Sequence, residues 1–318
     1  MKYYFIMIIL ILIIGCDGSN SVEKEIENIP IDLEIIRFDT VFGQANERDL
    51  PELKKTYPFF FPKQYHDSIW IKKMKDTLQL QLNEEVLKVF PSNDMLEDDL
   101  IALFQHIEYY FPVFETPVVV TLTSDVDYRN KVLLADNMLM ISLDNYLGPD
   151  HPFYIGIAKY IAQNMEKNQI VQDVAALYAE QIIVKPTDRT FLSSMLYYGK
   201  QLYLKDLWLP NSTENQKLGY TEDEFKWILE NESEIWRYFI ENEVLYSTDP
   251  KLLNRFIYPA PFSKFYLEID NDSPGSIGKF IGGQIVKSFM KRNSVTVQQL
   301  MMMEAEDLFI NSKYKPRK

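Results

Sequence analysis

The chain opens on an unbroken apolar run and turns periodic only later. Between Lys2 and the triplet Gly15, Cys16, Asp17, the stretch from Tyr3 to Ile14 holds no charged or strongly polar side chain. That run is about 12 residues, whereas a bilayer core needs about 20 in a helix. The layout therefore reads as a signal peptide, 1–15, rather than a permanent span. Ile13, Ile14 and Gly15 before Cys16 make the lipobox pattern, at which diacylglycerol is attached to the thiol and the chain is cut in front of it. Two acyl chains anchor a protein stably where one binds only marginally.

Past a short acidic stretch, 16–28, which reads as a tether, the pattern predicts one globular domain over 29–318. Ile31 to Phe38 is β-branched with partial alternation and reads as an edge strand. Apolar residues recurring at three and four positions predict helices over Arg48–Tyr57, His66–Val89 and Asn93–Tyr110, with prolines 58, 91 and 112 at the breaks. The period then changes. Pro117–Thr123 reads as a buried strand, and 132–135 with 138–143 as a hairpin across Asp136 and Asn137. Helical periodicity returns at Ile170–Ile183, Arg189–Leu204, Glu222–Leu245 and Pro274–Lys291, and once more after Val295. The expected class is α+β, a predominantly helical single domain with a small sheet; no repeat and no Gly/Ser linker divides it.

Composition narrows the function. Cys16 is the only cysteine, so the domain has no disulfide and no thiolate chemistry to draw on. Twenty Phe, twenty Tyr and four Trp fill a large interior without such staples. The net charge of −13 argues against nucleic acid, whose binding rests on neutralising phosphates.

Familiar catalytic patterns are missing. His66, His106 and His151 form no HExxH pair, and no cofactor or metal is expected. Ser288 to Lys291 matches Ser-x-x-Lys without its companion motifs. Asp270 to Gly275 begins like a calcium loop, but Pro274 stands at the fifth place and Ile281 at the twelfth; Ser273 as an N-cap followed by Pro274 explains it better. Gly278, Gly282 and Gly283 each cost a helix about 1 kcal/mol, which points to close backbone packing in compensation. Glu230, Glu232, Glu234, Glu241 and Glu243 read as a solvated helix face, or alternatively as acid/base machinery beside Trp227, Trp236, Tyr238, Phe239 and Tyr246.

Several long blocks carry a family resemblance: TYPFFFP from Thr56, FQHIEYYFP from Phe104, TSDVDY from Thr123, ISLDNYLG from Ile141, GKQLYLKD from Gly199, NESEIWRYFIENEVLYSTD from Asn231, and the run from Arg255 to Ser288. With them the chain resembles the gliding-motility lipoprotein B family, GldB, of the Bacteroidota. The resemblance implies a lipid-anchored, non-enzymatic envelope protein of the motility and secretion apparatus, facing the periplasm, with lipidated Cys16 as its one site residue and protein partners in that machinery. The order of strand, hairpin and helix also resembles degenerate zincin-type metallopeptidases, although Ile170–Ile183, where the metal helix would fall, holds no histidine. The alternative is an envelope hydrolase acting on peptide or glycan through a carboxylate-rich cleft.

Overall fold

The computed structural model describes residues 18–317; Cys16 and the apolar run before it lie outside the described residues. The chain begins with α1 (Gly18–Glu27), β1 (Ile35–Arg37), α2 (Phe38–Gly43), α3 (Leu50–Thr56), α4 (Asp67–Met74), α5 (Thr77–Val89) and α6 (Asp94–Tyr110). Then come β2 (Val118–Leu122), β3 (Val132–Ala135) and β4 (Met138–Ser142). The remainder is helical: α7 (Lys159–Ala162), α8 (Ile170–Ile182), α9 (Phe191–Trp208), α10 (Glu214–Leu218), α11 (Glu222–Glu230), α12 (Glu232–Glu241), α13 (Lys251–Phe256), α14 (Ile277–Arg292), α15 (Val297–Met302) and α16 (Ala305–Ser312). This is the expected α+β domain with helices dominating.

The sheet has the order β1-β2-β4-β3, with β1, β2 and β4 parallel and β3 the antiparallel hairpin partner of β4. Strand alternation sends successive side chains to opposite faces. Val119, Leu139 and Ile141 join the main core beneath the long helices, while Val118, Val120, Leu122, Met138 and Met140 meet a second cluster formed by Phe38, Phe42, Leu50, Leu53, Phe61 and Met74. Both faces are thus covered, which suits the near-continuous apolar run VVVTL of β2.

Three long helical readings stop or start elsewhere than expected, the first because a cap intervenes. His66–Val89 is two helices: the Asp76 carboxylate accepts the backbone N–H groups of Leu78 and Gln79 and starts α5 afresh. Glu222–Leu245 breaks at Asn231, and α12 ends at Glu241. The last long helix begins at Ile277 rather than near Pro274, because the Ser273 hydroxyl accepts from Ser263 N and donates to the Asp270 carbonyl instead of capping it. Residues 18–27, read from sequence as part of the tether, form α1 against α6: Ile26 is buried, and Glu23 sits 3.1 Å from His106 Nε2.

The centre of the molecule is the pair α9 and α14. A Cβ on Gly282 would collide with the Met195 carbonyl, and one on Gly199 with the backbone of Gly282. Gly282 of α14 and Gly199 of α9 therefore let two backbones meet, as the cost of glycine in a helix implied.

Candidate functional site

None of the catalytic readings from sequence converges on a site. His66 caps α4 by accepting from Ser68 N, His106 lies buried with Nδ1 2.7 Å from the Ala102 carbonyl, and His151 Nε2 sits 3.4 Å from Glu85. The Ser288 hydroxyl donates to the Ser312 carbonyl. Asp270 accepts three backbone N–H groups, from Phe265, Tyr266 and Leu267, so its carboxylate closes a turn and does not face an ion. Among the described residues no group of three acidic, histidine or cysteine side chains could hold a metal ion.

The acidic helices do not form a cleft either. Glu230, Glu234, Glu241 and Glu243 are exposed, whereas Glu232 is buried and accepts hydrogen bonds from the Tyr314 hydroxyl and Arg317 N. Its burial locks the C-terminal segment onto α12. Phe239 is core, Trp227, Trp236 and Tyr238 pack against it, and Tyr246 is exposed. The hydrolase alternative thereby loses its convergent carboxylates.

A cleft of about 520 Å³ lies elsewhere, between the β2–β3 loop, α8, α9, the α10–α11 turn and the start of α14. Its lining is more basic than acidic: Lys131 at the foot of β3, Lys205 on α9, Lys217 on α10, Lys279 on α14 and Arg129 all border it, against the carboxylates of Asp173 and Glu224. Helical spacing explains α9's share, since Tyr198, Gln201, Leu202 and Lys205 fall three and four residues apart and occupy one face.

Only part of this charge is neutralised within the chain. Lys131 pairs with Asp173 of α8, which also accepts from the Tyr146 hydroxyl, and Lys217 pairs with Asp206 at 3.1 Å. Lys205 donates to the carbonyl of Lys217 at 3.3 Å, and Lys279 lies over the Tyr198 ring, its nitrogen 5.0 Å from the centroid. Neither has a carboxylate partner among the described residues. Burial pushes Lys205 down to about 8; Asp173 opposes the shift, while the like charges of Lys279 and Lys131 add to it. Burial lowers Lys279 as well, opposed by the charge of Glu180.

The lip of the cleft is set by a strained turn. Asp125 and Val126 both take positive φ, 57° and 59°, which is costly for a β-branched residue. Asp144, fully buried after β4, accepts the backbone N–H groups of Ser124 and Val126 at 3.0 and 2.7 Å and so holds the turn that leads into Tyr128 and Arg129. The blocks TSDVDY and ISLDNYLG thus meet through one carboxylate. Sequence reading missed these residues because Lys131, Lys205 and Lys279 sit in three distant segments; the one local signal was Lys205 following Tyr198 and Gln201 on a single helical face.

The family model described as gliding motility protein GldB matches residues 19–316. No curated protein matches the chain, and no solved structure does.

Proposed function

We infer function from one premise: the chain belongs to the family of gliding motility protein GldB. Membership gives a role in gliding motility and, by the family's name, a lipoprotein. Beyond that we propose a non-catalytic scaffold or interaction component of the motility and secretion apparatus, anchored through Cys16 with the domain facing the periplasm. The carrying observation is the match over nearly the whole chain. The lipid anchor is supported by the lipobox, Ile13 to Cys16. No helix among the described residues is long and apolar enough to cross a membrane. A scaffold is supported by the histidines' engagement in caps and helix contacts and by the dispersal of the acidic residues over α11 and α12.

The test is genetic and biochemical together. A deletion strain is expected to stop spreading on agar, and normal gliding without the protein would sink the motility role. In a Cys16→Ala strain the protein is expected in the soluble fraction and gliding is expected to fail. If the substituted protein still sediments with membranes, the anchor is not at Cys16.

A further inference from the structure

The cleft between α8, α9 and α14 holds two lysines, Lys205 and Lys279, that make no direct ion pair among the described residues and feel Asp173 and Glu180 only at longer range, in a sequence with 46 acidic and 33 basic residues. A half-buried ammonium held only by a carbonyl, as Lys205 is, or by a ring face, as Lys279 is, remains an expensive arrangement. It becomes favourable once an anion enters. The start of α14 adds to the positive field, because Gly275 and Ser276 border the cleft and the helix has no acidic residue in its first turn, while its Ile277 and Lys279 N–H groups are already taken by Ser263 Oγ and the Ser276 carbonyl.

We propose that this cleft is a binding site for a small, soluble phosphate monoester, its phosphate held by Lys205 and Lys279. Two unpaired cations match a phosphate monoester, which carries about −1.5 to −2 near neutral pH, better than a single carboxylate. The volume of about 520 Å³ leaves room for a polar body of sugar size beyond the phosphate. Other lining residues suit such a body: Asn164 donates its amide N–H to the Gly219 carbonyl and Gln163 donates to the same carbonyl and to the Glu224 carboxylate, leaving their side-chain oxygens to accept from ligand hydroxyls. Nothing in this proposal depends on the motility role, since its readout is binding in solution.

The experiment is calorimetry on the full chain in detergent, titrated with inorganic phosphate, glucose 6-phosphate and acetate. Both phosphates are expected to bind, glucose 6-phosphate about tenfold more tightly than inorganic phosphate, a factor worth 1.4 kcal/mol per decade, with acetate far weaker. The pair Lys205→Gln with Lys279→Gln is expected to weaken glucose 6-phosphate at least tenfold, and each single change is expected to fall between. Lys291→Gln, on the exposed end of α14, is expected to leave affinity unchanged. Thermal melting of each variant separates lost binding from lost folding, and each is expected to melt at or above the wild-type temperature at pH 7. Failure of both phosphates to bind, equal affinity in the paired variant, or acetate binding as well as phosphate would each overturn the proposal.

Discussion

Asp144 shows how much one buried carboxylate can organise. It is wholly excluded from solvent, and burial raises its pKa, a shift that the N–H groups of Val126 and Ser124 oppose only in part. Asn in its place keeps one acceptor oxygen and turns an NH2 toward a backbone donor. Asp144→Asn is therefore expected to lose about 1–3 kcal/mol of stability, the cost of an unsatisfied buried group. Denaturant melts would check it, and an unchanged midpoint would mean that the turn holds itself. Lys205 offers the opposite case. Its folded pKa of about 8 lies below the unfolded value of about 10.4, so between those pH values the unfolded chain binds more protons and the wild-type fold gains stability as pH rises. At neutral pH the desolvation penalty is present in full. Lys205→Met is thus expected to raise Tm at pH 7, with the advantage shrinking as pH approaches 10; a variant less stable at pH 7 would contradict the assigned burial cost.

At the scale of elements, the decisive contact is α9 on α14. Gly282→Ala drives a methyl into the Met195 carbonyl, a rigid backbone atom, and is expected to destabilise by several degrees in Tm or to prevent folding. Gly283→Ala meets only the Leu202 Cδ1 at 3.3 Å, the movable tip of a side chain, and replaces a poor helix former. It is expected to be close to neutral, and equal losses for the two would show that helix propensity rather than backbone approach governs the pair. Helix ends were the least legible elements. The apolar period runs through Lys75 and through Asn231 without a break, and only the Asp76 cap and the change of direction at Asn231 divide those segments. The strands were legible because Val118–Leu122 and Met138–Ser142 are runs of β-branched and long apolar residues that nothing but a doubly covered sheet would bury.

Across the whole molecule, α1 ties the N-terminus to the domain. One residue, Asp17, separates Cys16 from α1, so an anchor at Cys16 would hold the α1 and α6 side near the membrane. Ile26 is 1 % exposed and is expected to fasten that helix. Ile26→Ala is expected to speed amide exchange over 18–27 while leaving α9 and α14 protected; unchanged exchange there would place the fastening on other contacts. What the sequence by itself determined was the fold class, the strands, the family and the lipobox, because each is written in contiguous residues whose period or order suffices. The acidic helices looked chemical in sequence but present four of five glutamates to water, since a helix face is decided by what packs behind it. The cleft was decided only by the tertiary structure. Lys131, Lys205 and Lys279 are separated by more than seventy positions each, and convergence of charge depends on how α8, α9 and α14 cross, which no local pattern encodes.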